Sequence, residues 1–106
     1  MRAILLAAGL GTRLQPLTHD IPKCLVEIGD QPLLGYWLDA LFESGIDSIL
    51  VNLHHHSQQV EDFIQERSDR SSVHLAYERR LLGTAGTVRE NYDFFSGEAG
   101  VVLHAD

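Results

Sequence analysis

Two hydrophobic rhythms alternate along the chain. Ala3 to Ala7 is a short apolar run without period-2 alternation, which suits a strand buried on both faces of a parallel sheet. Leu33, Leu34, Trp37, Leu38, Leu41 and Phe42 recur at helical spacing and predict one amphipathic helix, with Trp37 and Phe42 in the core. Pro32 suits its first turn, and Gly45 sits where a C-terminal cap belongs. Ile46 to Leu53 reads as a second buried strand. Ser57 is expected to cap a helix whose buried stripe is Val60, Phe63 and Ile64. Val73, Leu75 and Tyr77 alternate with His74 and Ala76, predicting a third strand with one wetter face. Residues 81–86 read as a loop into a short helix ending near Tyr92, and Gly100 to His104 as a fourth strand. Pro16, Pro22 and Pro32 break the early chain into loops, with a brief strand from Leu25 to Ile28 turned by Gly29-Asp30.

The resulting order, strand and helix in alternation, predicts an α/β fold. It is a Rossmann-like three-layer arrangement around a parallel sheet of about four main strands built from right-handed βαβ units. No repeat or linker divides residues 1–106, so they are expected to form one unit. In such sheets ligands bind outside the carboxyl ends of the strands. That directs attention to loops 8–13, 54–57 and 78–86 and to residues 105–106.

Composition narrows the ligand. The 106 residues carry a formal net charge of -7, which argues against a broad nucleic-acid surface and requires any anion to be held locally by a few groups. The single cysteine makes no internal disulfide, in keeping with a reducing, cytoplasmic setting. Every apolar stretch is far shorter than the roughly 18–20 residues that span a bilayer, so no membrane partner is expected. The N-terminal run superficially suggests a signal peptide, but its apolar part is only about six residues, shorter than such segments need.

Two motifs supply that local charge. In Leu6-Ala7-Ala8-Gly9-Leu10-Gly11-Thr12-Arg13-Leu14, glycines let the backbone approach an anion and turn N–H groups toward it. Arg13 adds a forked cation suited to phosphate oxygens. Leucine at position 14 breaks the dinucleotide fingerprint, and no Gly-Lys-Ser/Thr follows as in a P-loop. The second motif is Pro22-Lys23-Cys24-Leu25. Lys23 is the only lysine in the chain and would act as a point charge on phosphate, while Cys24 reads as a small buried hydrophobe.

These blocks, with Pro16-Leu17-Thr18, Gln31-Pro32-Leu33-Leu34, Gly45-Ile46, Val51-Asn52-Leu53-His54-His55, Leu82-Gly83-Thr84-Ala85-Gly86 and His104-Ala105-Asp106, resemble the opening of the sugar-phosphate nucleotidylyltransferases. In detail they look most like the mannose-1-phosphate guanylyltransferases among them. The resemblance implies an enzyme that moves a nucleoside monophosphate from a nucleoside triphosphate to a sugar-1-phosphate. It implies that Leu6, Ala7, Ala8, Gly9, Gly11 and Thr12 bind the nucleotide, with Arg13 at the β- and γ-phosphates. It places Lys23 at the transferred phosphate, Gly83 and Thr84 at the base pocket, and Asp106 as the first ligand of Mg²⁺. The second metal carboxylate and most of the sugar-phosphate pocket come from later segments in that family. The chain is therefore expected to be the nucleotide-binding N-terminal part, truncated at its C-terminus. An exposed sheet edge or apolar face is then expected to favour homo-oligomers.

Glu78 has two readings. A carboxylate there matches the paired N1–H and amino donors of guanine, favouring GTP over UTP or dTTP; the alternative pairs it with Arg79 or Arg80 on a wet loop. His54-His55-His56 cannot all point one way, so bracing of the site floor is preferred to a zinc site. His74 and His104 are expected on strands, and Arg79 and Arg80 in solvent.

Overall fold

The computed structural model describes residues 1–9, 15–16 and 20–105. Its elements are β1 (Arg2–Leu6), the short pair β2 (Glu27–Ile28) and β3 (Gln31–Pro32), α1 (Leu33–Glu43), β4 (Ser48–Leu53), α2 (Ser57–Gln65), β5 (Val73–Tyr77), α3 (Gly83–Glu90) and β6 (Gly100–His104). 3-10 turns occupy Lys23–Leu25, Arg70–Ser72 and Tyr92–Phe95.

The main sheet has the order β5-β4-β1-β6, and every pair in it is parallel. Ala3 and Leu5 of β1 and Ile49, Val51 and Leu53 of β4 share a core with Leu34, Leu38 and Leu41 of α1 and Val60 and Ile64 of α2. These strand residues have one parity, so α1 and α2 cover one face. Asn52 has the opposite parity and meets Thr87 of α3. On that second face Arg2 Nη1 also donates to the Phe94 carbonyl at 2.6 Å. The arrangement is the three-layer α/β fold expected from the alternation. Each fully buried Leu, Ile or Val contributes about 1.5–3 kcal/mol, and Ile4, Leu5, Leu34, Leu38, Ile49, Val51 and Ile64 are all in that state.

The path of the chain fixes where a ligand can sit. From β1 it steps to β4 and β5 on one side, then returns through α3 to β6 on the other side of β1. The reversal makes the carboxyl ends of β1 and β6 the switch point, the place where open α/β sheets bind ligands.

Local details follow from residue chemistry, with some departures. Gly45 takes φ +102°, and α1 ends with Gly45 N–H on the Phe42 carbonyl and Ile46 N–H on the Leu41 carbonyl. Ile46 is thereby used in the cap, and β4 starts at Ser48 rather than at Ile46. Gly29 at φ +71° turns β2 into β3, as its sequence predicts, although Leu25 belongs to the preceding 3-10 turn. Ser57 is the first residue of α2 and makes no cap bond; His56, left-handed at φ 55°, occupies the cap position. The predicted loop 81–86 is helical from Gly83 onward. Tyr77 shares the apolar phase of β5 but is exposed, because β5 is an edge strand and Tyr77 is its last residue. No helix among the described residues is long and apolar enough to cross a membrane.

Candidate nucleotide site at the strand ends

Leu6 ends β1, and its carbonyl accepts the Ala105 N–H at 3.0 Å. The loop after β1 and the segment after β6 therefore leave the sheet side by side. Ala7 and Ala8 do not turn their N–H groups toward open space. Both donate to Asn52 Oδ1, at 2.6 and 3.1 Å. Donors from this loop toward an anion must then come from beyond Ala8. At Gly9 an added Cβ would meet nothing within 4 Å, so there is open space beside that residue. Gly11, Thr12 and Arg13 lie outside the described residues, and so does Asp106.

Asn52 also donates through Nδ2, to Glu78 Oε2 at 3.1 Å and to Thr87 Oγ1 at 3.4 Å. The Thr87 hydroxyl donates to the same carboxylate oxygen at 2.5 Å. The other oxygen, Oε1, accepts the Leu82 N–H at 3.3 Å. The Glu78 main chain is held as well: its N–H donates to the Leu53 carbonyl at 2.7 Å, and its carbonyl lies 2.7 Å from His54 Nδ1. Glu78 is thus buried at 5% exposure and pairs with neither Arg79 nor Arg80, which are both exposed. The wet-loop pairing is thereby replaced by a buried network in which Oε2 takes two donors and Oε1 a single one.

Gly83 opens α3 at φ +74°, a conformation that costs an L side chain about 1–2 kcal/mol. Thr84 follows it in the first turn and is exposed. A shallow cleft of about 360 Å³ runs past Tyr77, Glu78, Arg79 and Arg80 to Leu82 and Asn91. Lys23 opens a 3-10 turn behind a buried Pro22, half-buried itself. Cys24 beside it is buried in the core, and burial pushes its thiol up to about 12.

The histidine run divides as its geometry requires. His54 turns to Glu78, while the His55 and His56 rings lie 3.8 Å apart. Desolvation, then the neighbouring His56 and His54, hold the His55 pKa below its ordinary value. Among the described residues no three His, Cys, Asp or Glu side chains come together to hold a metal. Pattern reading passes over Asn52 and Thr87. The signal for Asn52 was present: one amide inside Ile49-Leu50-Val51-Asn52-Leu53, at the end of a buried strand.

Residues 2–106 match the family model described as nucleotidyl transferase. The chain belongs to this family. A UTP–glucose-1-phosphate uridylyltransferase of Synechocystis is 34% identical over the whole chain, which covers 30% of that enzyme. A D-glycero-alpha-D-manno-heptose 1-phosphate guanylyltransferase of Campylobacter jejuni is 31% identical, again over the whole chain and 48% of the enzyme. Among solved structures, HddC from Yersinia pseudotuberculosis complexed with GMP-PN superposes with a TM-score of 0.86 at 28% identity, covering 99% of this chain and 47% of that one. The chain thus spans half or less of the length of these relatives.

Proposed function

We propose that this chain is the nucleotide-binding portion of a sugar-1-phosphate nucleotidylyltransferase, with GTP as its triphosphate. The observation that carries the reading is the switch in strand order at the carboxyl ends of β1 and β6, where the segment after β1 leaves the sheet beside that after β6. In the reaction, an oxygen of the sugar-1-phosphate attacks the α-phosphorus in line. The new O–P bond forms as the bond to the β-phosphate oxygen breaks, and pyrophosphate leaves with the electron pair. Such transfers depend on positioning and charge neutralisation more than on a protein nucleophile.

Arg13 neutralises the β- and γ-phosphates and Lys23 the transferred phosphate. Gly83 and Thr84 border the base, and Glu78 Oε1 accepts from the guanine edge. Mg²⁺, a hard cation that takes oxygen ligands, would be held by Asp106 and phosphate oxygens and would supply further charge neutralisation. UTP is the second reading, favoured by the uridylyltransferase relative from Synechocystis.

Calorimetric titration with GTP and with UTP in the presence of Mg²⁺ tests the reading. Binding of GTP that is lost in Arg13→Ala is expected. Absence of binding by either nucleotide overturns it, and a preference for UTP transfers the assignment to the second reading. Self-association is a separate part of the proposal. β6 pairs with β1 alone among the described strands, and Val102 on it is exposed, so the outer edge is open to a second copy. A strict monomer in sedimentation would remove that part.

A further inference from the structure

Asn52, Glu78 and Thr87 are the buried polar residues among the described ones, and they bond to one another. Burying three polar side chains on a sheet face is costly unless each is satisfied, and here each is. The informative part is where the remaining bonds go. They reach the main-chain N–H groups of Ala7 and Ala8 in the loop after β1, and of Leu82 just before α3. Those two segments flank the strand ends from opposite sides of Asn52. One amide side chain therefore ties the segment leading into the glycine loop to the carboxylate beside the base segment.

We propose that Asn52 is a positioning residue that sets the register between the phosphate-side loop and Glu78, so that triphosphate and base are gripped at a fixed separation. The proposal rests on the nucleotide reading above. Asn52 touches neither phosphate nor base. Its Oδ1 fixes where the Ala7–Ala8 segment starts, and its Nδ2 fixes the face that Glu78 presents.

The test uses Asn52→Asp, which keeps the size and the acceptor for Ala7 and Ala8 but removes the donor to Glu78 and Thr87. Two probes are titrated in Mg²⁺: GTP, which needs both segments, and inorganic tripolyphosphate, which needs the loop alone. Expected are at least a tenfold loss of GTP affinity, tripolyphosphate binding within twofold of wild type, and faster amide exchange at Leu82. In the pair Asn52→Asp with Glu78→Gln, the introduced carboxamide can donate to the introduced carboxylate. Leu82 protection should then return. If Asn52→Asp binds GTP as wild type does, the positioning role is wrong while the nucleotide reading stands. Equal losses for both probes would mean a purely structural role and also overturn it. If the wild-type chain binds neither probe, the nucleotide reading itself fails. The Leu82 exchange data, which need no ligand, keep the two failures apart.

Discussion

His54 holds the main chain of Glu78: its Nδ1 lies 2.7 Å from the Glu78 carbonyl oxygen. A carbonyl only accepts, so Nδ1 carries the hydrogen and donates it. Removing this donor leaves the Glu78 carbonyl without it beside a buried residue. His54→Leu is expected to destabilise the fold by about 1–2 kcal/mol, with a lower urea midpoint and an unchanged slope. His54→Asn, which retains a short amide donor, should lose less. Equal midpoints for wild type and His54→Leu would show that the bond contributes nothing.

How much of this was legible in the sequence differs from element to element. α1 and β4 were legible because their apolar spacing carries a single period, and Gly45 marks the end of α1 by the positive φ it alone tolerates there. The start of α3 was not, because Gly83 and Gly86 read as loop punctuation although only Gly83 has positive φ. Tyr77 followed the buried phase of its strand, yet edge position overrides phase. The polar cluster was invisible for a different reason. Its bonds join Asn52 to residues 26 and 35 positions away, and no local pattern records which polar groups a fold brings together. The glycine loop and Lys23 stand out by residue chemistry alone, and the family to which the chain belongs is one of nucleotide chemistry.

Gly9 and Gly83 are expected to respond oppositely to alanine. Gly9 has open space and no positive φ, so Gly9→Ala should move the melting temperature by no more than about 2–4 °C, as a surface change of under 0.5 kcal/mol does in a chain of this size. Its added methyl group would instead stand in the open space beside the proposed phosphate loop and weaken GTP binding. Gly83→Ala forces an L side chain to φ +74° and should cost about 1–2 kcal/mol of stability. Thermal melts and nucleotide titrations on the two variants check the contrast. A stability loss at Gly9 larger than that at Gly83 would refute it.

Asp39 gives the fold an acid-sensitive tie between α1 and the end of α2. Arg67 Nη2 donates to Asp39 Oδ1 at 2.7 Å, and Gln31 Nε2 donates to Oδ2 at 3.2 Å. The Arg67 hydrogen bond is the main reason that the Asp39 carboxyl titrates below its ordinary value. A carboxyl depressed in the folded state adds stability above its unfolded pKa of about 3.9 and loses it as pH falls through the folded value. Asp39→Asn should therefore flatten the acid limb of the stability profile below about pH 4. At neutral pH the loss should stay under about 1 kcal/mol, since the Asp39 side chain is 45% exposed. Urea midpoints measured from pH 7 to pH 2 decide it, and parallel profiles for the two proteins would count against the tie.

Cys24 provides a reporter of opening next to Lys23. It is 1% exposed, and burial raises its thiol to about 12. Because the folded value lies above the unfolded one, burial of the neutral thiol adds stability that is complete below about pH 8.5 and is lost as pH rises toward 12. Folded chain should resist an aromatic disulfide reagent at pH 8 and react only through opening. Labelling then reads the open population, and a ligand that binds only the folded state lowers that population by the factor 1 + [L]/Kd. At a GTP concentration of about 100 Kd, labelling of Cys24 should slow about a hundredfold. Slowing far short of that would place Cys24 exposure in a local motion that leaves the nucleotide site intact.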